Sequence, residues 1–351
     1  MRLGLRPDSL AERAALALGL VPTPFLQTHP PLLLARALMV ATERDIFEAL
    51  AEAPRSAAEV AVACGTHPAA TERLLDTLVG AGYLERADAY ALTPLARRWL
   101  LRDSPRSLRD SLLFRKLEWD WIARLDAFVD RGEPLDFHAA MDAEEWGLYQ
   151  RGMRALARLA VPETVRRAPV PTTARDLLDV GGAHGAFSVA FCARYPRLRA
   201  VVLDLPAAVA ESGPLLREAA AAHDVDGRVA HRSGDALTDD LGREAYDAAF
   251  VGQLVHHFDD ATARSLIERI ASALRPGGVL IVQEVMHAAH PRDAGQLGAL
   301  ADLYFALTSA AGTRSFDEIA AWQRDAGLAP RRPVRFRTLP GVGQQNAVKP
   351  S

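Results

Sequence analysis

The chain is 351 residues long, 49% hydrophobic and 24% charged, with a formal net charge of −3. That is the balance of a soluble globular protein with room for two cores, and it gives no electrostatic footing for nucleic acid or an anionic membrane. Two cysteines, Cys64 and Cys192, are too few for a disulfide framework or a cysteine-built zinc cluster.

No apolar run approaches the ~20 residues of a membrane span. The N-terminal stretch alternates apolar and charged positions helically, unlike the continuous apolar core of a signal peptide, so a cytoplasmic setting is expected. Up to about residue 170 the periodicity is helical. Pro31–Leu50 reads as an apolar helix. Ser56, with Glu59 three residues on, forms a capping box for a short helix over Ala57–Cys64, which Gly65 ends. A second helix after Pro68 carries Leu74, Leu75, Leu78 and Val79 on one face and stops at Gly82. Two short strands around a polar turn follow, over 83–86 and 89–93. Helix, turn, helix and hairpin make a winged helix. From Ser56 to Leu100 it holds four basic residues against five acidic, and its second helix offers only Arg73. A DNA reader needs an excess of positive charge, so the element reads as a structural or dimerisation module.

Further helices over 105–170 carry Trp119, Trp121, Trp146, Tyr149 and Met153. Such residues at helical spacing are usually core; directly before the second half, they also stand where part of a pocket would be lined. Pro162, Pro169 and Pro171 mark the expected domain boundary.

From Ala174 short apolar runs alternate with helical segments, the pattern of a parallel sheet with crossover helices. Asp176–Val180 is a buried strand that runs into Gly181-Gly182-Ala183-His184-Gly185 and then a helix. A glycine turn there lets the backbone approach an adenosyl ligand closely. Ala183 and Ala186 stand where a dinucleotide fingerprint needs glycine, which argues against a bound pyrophosphate and so against a dehydrogenase. The next strand ends at Asp204, 25 residues after Asp179, placed to accept both ribose hydroxyls. Gly234-Asp235-Ala236 follows a strand over 229–232, where an acid can hold an adenine amino group. A fourth strand over 247–255 enters His256-His257-Phe258-Asp259-Asp260, and a helix from there to Leu274 is stopped by Arg275-Pro276-Gly277-Gly278. The fifth strand, over 279–283, ends at Glu284. These polar positions lie at the carboxyl ends of parallel strands, the edge where open α/β sheets bind ligands.

The ordered set D-V-G-G-A-H-G, V-L-D-L-P, S-G-D-A, L-V-H-H-F-D-D and L-R-P-G-G resembles the small-molecule O-methyltransferases of the caffeic acid and acetylserotonin type, whose bacterial relatives act on polyketides, phenazines and carotenoids. The resemblance runs from about Pro31 to Ala347. It implies an α/β protein with a Rossmann-like class I methyltransferase domain over 171–351 and an all-helical winged-helix dimerisation domain over 1–104. A helical linker over 105–170 would contribute to the substrate pocket. It also implies S-adenosyl-L-methionine as cofactor and a homodimer built through the N-terminal helices. The implied cofactor contacts are Asp179, Gly181, Gly182, Gly185, Asp204, Leu205, Gly234, Asp235, Ala236 and Gln253. Gly252 falls where plant members usually have lysine. His256 matches the family's catalytic base, with His257 in place of an aspartate that often follows. Glu284 matches one of two carboxylates flanking the base, and Phe316 takes the place of the other. Met153, His257, Tyr304, Phe305 and Phe316 are the expected acceptor-pocket residues, which points to an aromatic or polyketide-like small molecule.

Methyl transfer is an in-line displacement in which the cofactor supplies the activated group, while the protein aligns the partners and removes a proton. A free imidazole titrates near 6.5 and a phenol near 10, so a carboxylate such as Glu284 on the other ring nitrogen would fix the tautomer and stabilise the imidazolium. A metal on His256, His257, Asp259 and Asp260 is not expected, because adjacent side chains on a strand point to opposite faces. The His287-x-x-His290 spacing reads as a polar loop. Phe316 leaves two alternatives open: carbon or nitrogen methylation on the same fold, and a member that keeps the cofactor for a non-methylating reaction. A ligand-responsive DNA-binding regulator is disfavoured by the neutral winged helix.

Overall fold

The computed structural model describes residues 4–288, 291–309, 311–339 and 341–351. His290, and with it the His287-x-x-His290 spacing, lies outside the described residues. The chain forms two compact units, Arg2–Lys116 and Leu117–Ser351.

The first unit contains α1 (Leu10–Ala17), α2 (Thr23–Leu26), α3 (His29–Glu43), α4 (Ile46–Ala49), α5 (Ala57–Cys64), α6 (Pro68–Gly80), the hairpin β1 (Leu84–Arg86) and β2 (Tyr90–Leu92), and α7 (Pro94–Trp99). Ser56 and Glu59 form the reciprocal capping box that the sequence announces, and Gly65 closes α5 in the left-handed conformation. Ile46, Phe47, Leu50, Val60, Leu75, Leu78, Leu84 and Leu92 make one core. The hairpin is tied to α6 through Asp76, which accepts hydrogen bonds from Arg86 and Tyr90, each at 2.8 Å.

The division between units falls inside α8 (Arg109–Ile122). The second unit continues with α9 (Leu125–Arg131), α10 (Phe137–Ala140) and α11 (Ala143–Arg167). Pro162 does not end the helical half, since α11 runs through it. A proline inside a helix removes one hydrogen bond and costs roughly 3 kcal/mol. Here tertiary bonds hold the last turns in place: buried Glu163 and Thr164 are bonded to residues far along the chain.

A layered α/β unit follows: β3 (Asp176–Val180), α12 (Ala186–Arg194), β4 (Arg199–Asp204), α13 (Pro206–Ala222), β5 (Val229–Ser233), β6 (Tyr246–Gly252), α14 (Asp260–Ala273), β7 (Leu274–Val285), α15 (Pro291–Thr308), α16 (Phe316–Asp325), β8 (Ala329–Pro330), β9 (Val334–Arg335) and β10 (Val342–Val348). The strand order is β5-β4-β3-β6-β7-β10-β8, with β9 also on β10. The strands from β3 to β7 are parallel and β10 is antiparallel to β7. Alternate residues of β3 and β6 enter two cores: Leu178, Val180 and Val251 pack with Ile267 and Trp322, and Leu177 and Phe250 with Phe191 and Val202. Both faces of the sheet are therefore covered, as a parallel sheet requires. The strand order reverses between β3 and β6, which opens a crevice at their carboxyl ends.

Several boundaries differ from the sequence expectation, among them the helix read over Pro31–Leu50, which breaks at the left-handed Asp45 into α3 and α4. β6 stops at Gly252 instead of continuing to 255, because the Leu254 and Val255 N–H groups turn away to the Glu284 carboxylate. β7 spans Leu274–Val285, so Arg275–Gly278 belong to the strand and Glu284 lies within it. The antiparallel β10 was not anticipated at all.

Candidate active site

The crevice begins at the turn after β3. Gly181 donates to the Leu203 carbonyl at 2.8 Å, which ties the turn to β4. At Gly182 a Cβ would lie 2.5 Å from the Asp179 carboxyl group. At Gly185, the N-cap of α12, φ is +66° and a Cβ would lie 2.3 Å from Leu216. Only glycine satisfies both positions. Asp179 accepts a hydrogen bond from Ser188 at 2.6 Å, while its Oδ1 is buried with no partner among the described residues. Burial and the nearby Asp204 push its carboxyl up to about 7. Asp204, at the end of β4, accepts from the backbone N–H groups of Leu205 and Ala183, each at 2.8 Å. Burial raises it to about 6, against the pull of those two N–H groups. Leu205 stands beside it, 42% exposed.

Gly234, Asp235 and Ala236 form the next strand-end loop. Asp235 accepts from the Leu237 N–H at 2.8 Å and Arg269 donates to the Ala236 carbonyl at 3.0 Å, so the loop is held from both sides. Gln253 completes the rim in a left-handed conformation, φ +55°, with its N–H on the Gln283 carbonyl at 2.8 Å. At Gly252, the position occupied by lysine in plant members of the resembled family, a Cβ would lie 2.6 Å from the Phe250 ring. A buried acceptor without a partner, a turn where side chains would collide and a carboxylate with free lone pairs fit an adenosyl group with a ribose diol.

Next to this rim lies the base. Val255–His257 form a 3-10 turn. Glu284 reaches it from β7: Oε1 accepts the Leu254 and Val255 N–H groups at 2.7 and 2.8 Å, and Oε2 lies 2.8 Å from His256 Nδ1. Both side chains are buried. Phe305 of α15 stacks on the His256 ring, centroids 3.9 Å apart. The imidazole is thus fixed at Nδ1 and flanked on one face.

The turn also corrects the opposite-faces argument for the two histidines. Their rings are 4.1 Å apart, because a 3-10 turn does not alternate side chains as a strand does. Among the described residues no group of three or more His, Cys, Asp or Glu side chains is arranged to hold a metal ion.

Around His257 stands an aromatic wall. His138 of α10 lies 4.9 Å from His257, stacks on Trp146 at 5.5 Å and meets Tyr149 edge-on at 5.8 Å. Trp121 and Phe137 are 4.6 Å apart in the same wall. Met153 lies half-buried one turn beyond Tyr149 on α11. Tyr304 donates to Glu118 at 2.5 Å. Phe316 is not part of this wall. Ser315 caps α16 and sends Phe316 into the core with Val282, Ile319 and Trp322; its ring sits under the Arg335 guanidinium at 4.7 Å and against Gly343.

The structure also brings in His138 and Ser309, which the sequence reading did not single out. His138 belongs to a one-turn helix capped by Asp136, and no periodicity marks so short an element.

Fold and rim together define an S-adenosylmethionine-dependent methyltransferase. Residues 130–329 match the O-methyltransferase domain and residues 32–102 the O-methyltransferase dimerisation domain. The tetracenomycin polyketide synthesis 8-O-methyl transferase of Streptomyces glaucescens is 33% identical over 85% of this chain and 88% of that protein. An N,N-dimethyltransferase of Streptomyces rimosus is 31% identical over 90% and 93%. The structure of human N-acetylserotonin methyltransferase in complex with SAM superposes with a TM-score of 0.80 at 20% identity, covering 99% of this chain and all of that one. The chain belongs to the O-methyltransferase family. Among the described residues no helix is long and apolar enough to cross a membrane.

Proposed function

We propose that the protein methylates a hydroxyl of an aromatic or polyketide-like acceptor, with His256 as proton acceptor and Glu284 as its orienting partner. The observation that carries this reading is the buried His256–Glu284 pair under Phe305, beside the adenosyl rim and facing an aromatic wall. The cofactor supplies the activated methyl group; Asp179, Gly181, Gly182, Gly185, Asp204, Leu205, Gly234, Asp235, Ala236 and Gln253 would hold it. With Nδ1–H given to Glu284, the His256 Nε2 lone pair is free for the acceptor's hydroxyl proton, and Glu284 balances the imidazolium that results. Tyr149, Phe305 and Met153 would hold a flat ring. The tetracenomycin relative, named for methylating a polyketide oxygen, supports this acceptor class. The enzyme is further proposed to work as a cytoplasmic homodimer.

Native mass spectrometry should find S-adenosylhomocysteine retained on purified protein. On a panel of phenols, His256→Ala should lower turnover by roughly a hundred- to ten-thousandfold with S-adenosylhomocysteine affinity retained; full activity would remove His256 from the mechanism. The relative that dimethylates nitrogen supports a second reading, transfer to an amine, which amine acceptors in the same panel test.

A further inference from the structure

His138 and His257 have no part in proton removal, yet they occupy the wall beside the base. Burying a polar ring is costly unless its nitrogens are bonded, and phenylalanine would fill an aromatic wall at no such cost. His257 uses Nδ1 on the Ser309 hydroxyl at 2.7 Å. For its other ring nitrogen, and for those of His138, the hydrogen bonds among the described residues provide no partner. Both residues are half-buried. Burial, with the neighbouring imidazoles, lowers His138 to about 4 and His257 well below the ordinary range, so both are neutral at pH 7. A neutral imidazole offers one donor and one acceptor and adds no charge beside a sulfonium. The Ser309 hydroxyl occupies Nδ1, which leaves Nε2 as the nitrogen that His257 presents.

We infer that His257 and His138 bind a second oxygen of the acceptor, adjacent on the ring to the hydroxyl that His256 serves. Imidazoles with centres 4.1 Å apart address two oxygens about 3 Å apart, so the acceptor class is an aromatic ring with neighbouring oxygen substituents. The inference rests on the O-methylation reading. In it His257 and His138 bind the acceptor directly, and Ser309 orients the ring of the first through Nδ1.

The test compares kcat/KM for 2,3-dihydroxynaphthalene with that for 2,6-dihydroxynaphthalene, isomers that differ only in where the second oxygen lies. Wild type should prefer the 2,3-isomer by about ten- to a hundredfold, the worth of one to two buried hydrogen bonds. His257→Phe and His138→Phe, which keep the aromatic volume, should bring that ratio to within about threefold of unity, and Ser309→Ala should bring it partway. Wild type that methylates both isomers equally overturns the inference and leaves O-methylation standing. Variants that slow both isomers by one common factor overturn it too, since that is the mark of wall packing alone. Tight S-adenosylhomocysteine binding with transfer to neither isomer nor to any other phenol would overturn the O-methylation reading and the inference with it.

Discussion

Glu284 serves three hydrogen-bond donors with two oxygens, and that division makes its amide a severe substitution. In Glu284→Gln the carboxamide oxygen can still accept the Leu254 and Val255 N–H groups, which leaves the NH2 facing His256 Nδ1. Nδ1 must then be the acceptor, the proton moves to Nε2, and the base loses its lone pair. Glu284→Gln should lower turnover about as far as His256→Ala, on the order of a hundred- to ten-thousandfold. Turnover within tenfold of wild type would show that His256 works in either tautomer. Asp204 gives a second residue-scale prediction, one that depends on pH. Its folded-state pKa is raised to about 6, so it is ionised above that value and protonated below it, and only the ionised form accepts two ribose hydroxyls. S-adenosylhomocysteine affinity, followed by calorimetry, should weaken as pH falls from 7 through about 6 and 5. Asp204→Asn should bind roughly tenfold more weakly at pH 7 and show a smaller pH dependence, the remainder belonging to Asp179, whose carboxyl burial raises to about 7. At this scale the places of His256, Glu284 and Asp204 were legible because each follows or ends a short apolar run. Phe316 was misplaced because its address comes from the Ser315 cap, which turns the first residue of α16 inward.

At the scale of elements, the last turns of α11 anchor the far edge of the sheet. Glu163 accepts the Arg337 and Thr338 N–H groups at 3.0 and 2.9 Å, the Thr338 hydroxyl at 2.6 Å and the Arg167 guanidinium at 2.7 Å. Burial alone would raise its carboxyl, but these donors outweigh burial and hold it at about 2. A depressed pKa of this kind stabilises the fold above the unfolded value, about 4.3, and the contribution fades as pH falls from there toward about 2. Glu163→Gln should cost on the order of 1–3 kcal/mol at pH 7 in urea unfolding, with the gap to wild type closing by pH 2.5. A gap that stays constant with pH would show that the carboxylate's charge is irrelevant. The same anchoring explains why two elements were not legible. Pro162 reads as a stop, and only tertiary bonds overrule it. β10 reads V-G-Q-Q-N-A-V, without the apolar run or alternation that announces a strand. Its amides are buried all the same: Gln344 donates to the Gln283 side chain at 3.2 Å and to the Thr164 carbonyl at 3.3 Å, and Gln345 to the Arg331 carbonyl at 2.9 Å. A polar strand of this kind is specified by partners distant in sequence.

At the scale of the whole molecule, the N-terminal helices expose more apolar surface than a lone chain covers. None of the residues of α1 is buried, and Leu10 and Leu18 are 80% and 72% exposed. Leu32 and Leu33 on α3 are 56% and 59% exposed. An eight-residue helix is marginal in water without a surface to pack on, and a patch of this kind marks an interaction site. Sedimentation equilibrium should give twice the 38.0 kDa chain mass at micromolar protein. The double variant Leu32→Arg, Leu33→Arg should sediment as a monomer that still melts cooperatively. A wild-type monomer at that concentration would end the dimer proposal.

The helix α11 has one more consequence. Its 25 residues, roughly 37 Å at 1.5 Å per residue, give one end to the aromatic wall through Trp146 and Tyr149 and the other to the sheet through Glu163 and Thr164. The two tasks share a backbone but no side chain. Changes near residues 146–153 can therefore re-cut the shape that greets an acceptor while the fastening at 163–164 keeps its grip. A lineage that meets new aromatic compounds can vary the half-buried positions of that end, such as Tyr149 and Met153, while Trp146, Gly147, Gln150 and Gly152 stay buried and hold the helix in place.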